Sequence, residues 1–140
     1  MPKINYGKHP GSAGFTLIEM LIAIAIIAIL TAISYPIYTS FIDKAKRTKG
    51  ISTLETVRKT IEDYHINFGS YPPALNIATG EDGMGRIVIP PLLLTEFNIN
   101  LSSLESYIPA VGDYTLSARA IDRNRTLLVL TAGSVVTVGP

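Results

Sequence analysis

Cysteine is absent from all 140 residues, so no disulfide, thiolate nucleophile or cysteine-based metal site can form. Tryptophan is absent too, and there are only two histidines, His9 and His65. Neither histidine sits in a zinc-ligand spacing, which argues against a catalytic metal. Serine, aspartate and histidine form no nucleophile elbow. A glycine-rich phosphate loop is also lacking, so any nucleotide-driven step would need a separate protein. The formal charge is +1, which gives no electrostatic case for nucleic acid. No internal repeat or low-complexity tract is visible. These absences point away from an enzyme and indicate no cofactor.

The chain does have a long apolar run. Residues 15–35 (FTLIEMLIAIAIIAILTAISY) are interrupted by one charge, Glu19. At about 1.5 Å per residue, roughly 20 residues cross a bilayer core of about 30 Å. A secretory signal peptide is one reading, but its core is shorter and a small-residue cleavage site follows it. Thr31-Ala32-Ile33-Ser34 fits that site poorly. A plain permanent anchor explains the length but not Glu19. The third reading is a helix that lives first in lipid and then in a protein bundle. Residues 1–14 ahead of the run are polar, rich in Gly and Pro, and carry Lys3 and Lys8. They read as a leader held on the cytoplasmic side.

Helical pattern continues past Pro36. A proline inside a helix removes one hydrogen bond and kinks more often than it stops. Ile51, Leu54, Val57, Ile61, Tyr64 and Phe68 recur at spacings of three and four, an amphipathic stripe. Asp43 to Arg47 and Glu55 to Lys59 are acid-before-base pairs four apart. Gly50 is a weak point costing about 1 kcal/mol against Ala. Gly69-Ser70-Tyr71-Pro72-Pro73 ends the helix.

Residues 70–112 read as a connecting αβ-loop. Within it Leu92–Leu94 and Leu101–Leu104 suggest short helical turns, Arg86–Ile89 a short strand, and Thr79–Gly83 a turn. Residues 113–140 read as a sheet region. Tyr114–Ala120, Thr126–Thr131 and Ser134–Val138 are β-rich and are joined by Asp122-Arg123-Asn124 and Ala132-Gly133, as in a meander. The expected fold class is therefore α+β. A long N-terminal helix, with a transmembrane half (15–36) and an amphipathic half (37–69), packs on a small antiparallel sheet.

An acid in an apolar helix is by default functional, and its partner must be named. Nothing basic lies within a turn of Glu19. A cut after Gly14 would create an α-amino group on Phe15, close enough for a pair within one chain or between axially offset chains. Snorkelling of Glu19 to headgroups is the alternative.

Gly14-Phe15-Thr16-Leu17-Ile18-Glu19, after a short basic leader and before an unbroken apolar helix, resembles the class III signal of type IV prepilins and type II secretion pseudopilins. The resemblance is specific over residues 14–36, looser to about Phe68 and architectural beyond. It implies that a prepilin peptidase cuts after Gly14 and methylates Phe15. It implies that Glu19 aids docking and that Pro36 marks where the long helix bends or loosens. The shape it implies is a lollipop. The implied partners are copies of the chain or related pilins in a helical filament, and an inner-membrane platform with a separate ATPase. The implied location is the bacterial inner membrane, N-terminus cytoplasmic, and then a periplasm-spanning or extracellular filament. A pseudopilin driving protein export is the alternative.

Two weaker readings complete the sequence view. Many major type IV pilins carry a C-terminal disulfide that this chain cannot form. Major pseudopilins often bind calcium, for which Glu81, Asp82, Asp113 and Asp122 are oxygen donors without EF-hand spacing. Arg119, Arg123 and Arg125 cluster at a turn, with Arg86 a further candidate. A minor pilin capturing DNA or a surface ligand would use such a feature, but no aromatic residue is interleaved and Asp122 lies inside it, so the pattern favours a solvated hairpin.

Overall fold

The computed structural model describes residues 14–139. The leader, with Lys3, Lys8 and His9, lies outside the described residues apart from Gly14. Among the described residues eight elements follow one another: α1 (Leu17–Phe68), β1 (Leu75–Asn76), β2 (Glu81–Asp82), α2 (Pro91–Asn100), β3 (Leu101–Ala110), β4 (Asp113–Ala120), β5 (Leu127–Thr131) and β6 (Val135–Val138). The chain divides into two units, one up to Tyr38 and one from Thr39 onward.

The first unit is the apolar part of α1. It is helical through Pro36, and its large apolar side chains, from Phe15 to Tyr38, are exposed. By length and composition this helix can cross a membrane. The Thr31 hydroxyl donates to the Ile27 carbonyl at 2.8 Å, so the helix satisfies that polar group itself.

The second unit holds the core. Leu54, Val57, Ile61 and Tyr64 of α1 are buried, as their spacing requires. They pack in one cluster with Tyr114, Leu116, Ala118 and Ala120 of β4 and Leu128 and Leu130 of β5. Strict alternation in β4 turns every second residue inward, which is the period-two rule of a half-buried strand. Full burial of each such leucine is worth about 1.5–3 kcal/mol. Phe68 departs from the expected stripe. It is half exposed, and the Arg86 guanidinium lies over its ring at 4.2 Å. The helix then ends on Gly69, at φ 74°, whose N–H bonds back to the His65 carbonyl at 2.8 Å.

Gly50 is buried inside α1. A Cβ there would meet Leu101 Cδ2 at 3.1 Å and Leu128 Cδ1 at 3.2 Å. The glycine that weakens the helix thus admits the sheet to close approach.

The main sheet has order β3-β4-β5-β6, all antiparallel. Three of these strands match the expected meander; β3 corrects the reading. Leu101–Leu104, expected as a helical turn inside a loop, begins a ten-residue strand paired with β4. Two register shifts interrupt that pairing, so the apolar residues do not alternate cleanly. Leu92–Leu94 does lie in a helix, α2, with Pro91 at its start, where proline is tolerated. Arg86–Ile89 is not a strand; Ile87 makes a single bridge to Glu81.

Candidate functional site

The start of α1 explains how Glu19 is held. Thr16 precedes the first helical residue, and its carbonyl accepts from Met20 N–H at 3.3 Å. Its hydroxyl oxygen accepts from Glu19 N–H at 3.3 Å. The Glu19 carboxylate accepts in return from the Thr16 N–H and hydroxyl, each at 2.8 Å. This reciprocal arrangement is a capping box, in which two of the helix's otherwise orphaned N–H groups find partners. A carboxylate is also favoured there by the helix dipole. Sequence reasoning treated Glu19 as an isolated charge. The T-x-x-E spacing of Thr16 and Glu19 was the signal that would have placed it. Phe15 beside this box is exposed, and a Cβ on Gly14 would meet nothing within 4 Å. Nothing in the described packing requires glycine at 14.

Charged groups in the second unit pair across the fold. Arg47 reaches Asp122 with Nη2 at 3.0 Å and Nε at 3.3 Å, and the Asp122 side chain is 1 % exposed. The Thr126 N–H and hydroxyl also donate to Asp122. Burial pushes the Asp122 carboxyl up, but the Thr126 and Arg47 donors outweigh it and hold it below the usual range. Asp43 accepts from the Arg123 N–H at 3.1 Å and faces its guanidinium at 3.8 Å. The expected local pair of Asp43 with Arg47 is therefore not made. Glu55 likewise pairs with Arg58 at 2.9 Å rather than with Lys59.

The same pairing gives two of the clustered arginines acidic partners. Arg119 bonds Glu105 on the neighbouring strand, and Arg123 is tied to Asp43. Arg125 stands at φ 49°, with its carbonyl accepting from Arg119. Arg86 is elsewhere. It bonds the buried Asp82 and the Tyr64 hydroxyl. Asp82 accepts as well from the Tyr64 hydroxyl and the Met84 and Arg86 N–H groups, each at 2.8 Å. Burial raises its carboxyl, and this ring of donors lowers it further than burial raises it. Neither Asp82 nor Arg86 stood out in the sequence as the clamp that fixes the 80–86 loop to α1.

The calcium candidates are not brought together. Asp82 and Asp122 are held as described, and Asp113 accepts from the Tyr114 and Ala132 N–H groups. Among the described residues no group of three His, Asp or Glu side chains is placed to hold a metal ion.

A long apolar helix with a capped, acid-bearing start, followed by a helix-on-sheet unit, is the α+β architecture of a pilin. A family model described as the prokaryotic N-terminal methylation motif matches residues 10–35. The chain is 33 % identical over 78 residues to a fimbrial protein of Neisseria meningitidis serogroup B, covering 54 % of this chain and 46 % of that one. It is 37 % identical over 59 residues to a type IV major pilin protein PilE1 of Neisseria gonorrhoeae, covering 42 % and 36 %. It is 36 % identical over 70 residues to the type IV major fimbrial protein FimA of Dichelobacter nodosus, covering 50 % and 43 %. The aligned part spans about half or less of the length of these relatives. The chain is type IV pilin-like and carries the N-terminal methylation motif.

Proposed function

We propose that this chain is a structural subunit of a type IV pilus-like filament. In this reading residues 1–14 are a leader cut after Gly14, Phe15 becomes the N-methylated N-terminus, and residues 15–36 serve first as membrane anchor and then as filament core. Residues 37–69 carry the globular part. The observation that carries the reading is the first unit of α1. Its apolar side chains are exposed all round, yet its one charge is already folded into a cap. A helix apolar on every side needs lipid or other helices around it. Gly14 stands directly before Phe15 inside the stretch that matches the N-terminal methylation motif, which supports processing there.

The filament would be built from copies of the chain or related pilins. A prepilin peptidase would process it, and an inner-membrane platform with a separate ATPase would assemble it. Glu19 would aid docking, and Pro36, which removes one helical hydrogen bond, would let the helix adjust. Relatives named as fimbrial proteins and major pilins favour a pilus over a secretion pseudopilus.

Mass spectrometry of the chain from its own cells tests this. A mature form beginning at Phe15 and heavier by one methyl group is expected. An intact leader in cells with an active peptidase would overturn the reading. Glu19→Ala should leave processing intact and reduce filaments seen by electron microscopy.

A further inference from the structure

Asp43, Lys44, Lys46, Arg47 and Lys49 are crowded into seven consecutive residues of α1. The fold sorts them into two kinds. Asp43 and Arg47 turn to the β4–β5 connection and are neutralised there by Arg123 and Asp122. Lys44, Lys46 and Lys49 are exposed, and among the described residues no ion pair engages them. Three positive charges therefore remain on one and a half turns of helix. Lys44 and Lys49 share a face with Phe41, Thr48 and Ser52. Lys46 and Lys49 border a groove of ≈ 330 Å³ that is also lined by Ile99, Asn100 and Ile121.

The position in sequence narrows the partner. Lys44 comes six residues after Tyr38, which with Tyr35 marks the end of the apolar run with two exposed tyrosines. Tyrosines and then lysines at the end of a span are the order in which a bilayer interface and its headgroups are met. In the orientation proposed above these lysines face away from the cytoplasm, the side that basic residues normally avoid. An anionic surface at that level gives them a counter-charge. Phe41, 66 % exposed on the same face, would lie against acyl chains.

We infer that Lys44, Lys46 and Lys49, spread around α1, form a basic collar that meets the phosphates of anionic phospholipids in the leaflet from which the apolar run emerges, engaged while the subunit waits unassembled in the membrane. This rests on the membrane span of the proposed function. Each lysine near an anionic lipid surface strengthens association about five-fold at moderate salt.

The test uses the full chain reconstituted in phosphatidylcholine vesicles with spin-labelled lipids. Spin-labelled phosphatidylglycerol should be held beside the protein about five-fold more than spin-labelled phosphatidylcholine. The preference should fall with added salt, vanish in Lys44→Gln/Lys46→Gln/Lys49→Gln, and survive Lys59→Gln. Circular dichroism checks that the triple variant keeps its fold. A chain that immobilises lipid without preference, or whose preference survives the triple change, overturns the site alone. A chain that immobilises no lipid overturns the membrane span beneath it. Inorganic phosphate and a short DNA duplex are the remaining arms. Binding of either one, lost with the three lysines and without lipid preference, would make this a free-phosphate or nucleic-acid surface and refute the lipid assignment.

Discussion

Arg47→Ala tests whether long-range charge pairs hold the sheet to the helix. Arg47 lies on α1 and Asp122 in the β4–β5 connection, 75 residues on. Asp122 is 1 % exposed and its partner 36 %. Removing one member of a fully buried pair costs about 3–5 kcal/mol, because the other charge stays buried. Two features reduce that here. Asp122 keeps both donors of Thr126, and the guanidinium is partly in solvent, where pairing is worth less. About 2 kcal/mol is therefore expected, the scale of a lost charge-assisted hydrogen bond. For a unit of about 100 residues that lowers the melting temperature by roughly 10 °C.

The assay is thermal and urea unfolding of the full chain in detergent, read by near-ultraviolet circular dichroism of tyrosine. Three tyrosines, Tyr71, Tyr107 and Tyr114, adjoin one another in the second unit, and Tyr64 lies against Phe68, so together they report on its packing. A loss under about 0.5 kcal/mol, or no coupling in a double-mutant cycle with Asp122→Asn, would refute the reasoning. The pH dependence has a definite sign. The Asp122 carboxyl is held low in the folded chain, so its stabilising contribution is complete above the unfolded value of about 3.9. It is lost as pH falls through the lower folded value. The gap between wild type and Arg47→Ala should be flat near neutrality and close below about pH 4.

Gly80→Ala should cost about 2–4 kcal/mol, because φ is +75° and the new Cβ would stand 2.3 Å from the Ile89 carbonyl oxygen. Gly112→Ala, at the same φ but in open space, should cost only about 1–2 kcal/mol; equal urea midpoints for the two variants would refute the clash. Thr16→Val should open the first turn of α1, speeding amide exchange at Glu19 about 5- to 30-fold, while Thr16→Ser leaves it unchanged. Unaltered exchange in Thr16→Val would show that the cap does not hold Glu19.

The parts of the fold that could be read from the sequence are those where periodicity is clean. Leu54, Val57, Ile61 and Tyr64 keep helical spacing against a single partner layer, and β4 alternates without a break. β3 stayed hidden because its leucines, Leu101 and Leu104, sit three apart across a register shift and imitate a helix. Gly50 was read as a cost to the helix. Its role as a point of close approach depends on Leu101 and Leu128, which only the fold brings near.

Charge was the least readable property, for one physical reason. A sequence offers each charged side chain its neighbours three and four residues away, and such pairs are worth only a few tenths of a kcal/mol. Any well-placed partner from a distant strand outcompetes them, particularly where burial removes water. Asp43 and Arg47, four apart, are each taken by a group from the β4–β5 connection. Glu19 is the reverse case. Its partners lie three residues away and are a hydroxyl and an N–H rather than a compensating positive charge. Both pairings have related consequences. Once the distant pairs are assigned, the residual charge of the 43–49 segment is three lysines rather than a balanced helix face. Once the cap is assigned, any docking role of Glu19 becomes a competition between Thr16 and an incoming partner. A newly cut Phe15 amine would need to offer more than the two donors Glu19 already holds, and a helix surrounded by lipid or other helices strengthens that offer by excluding water.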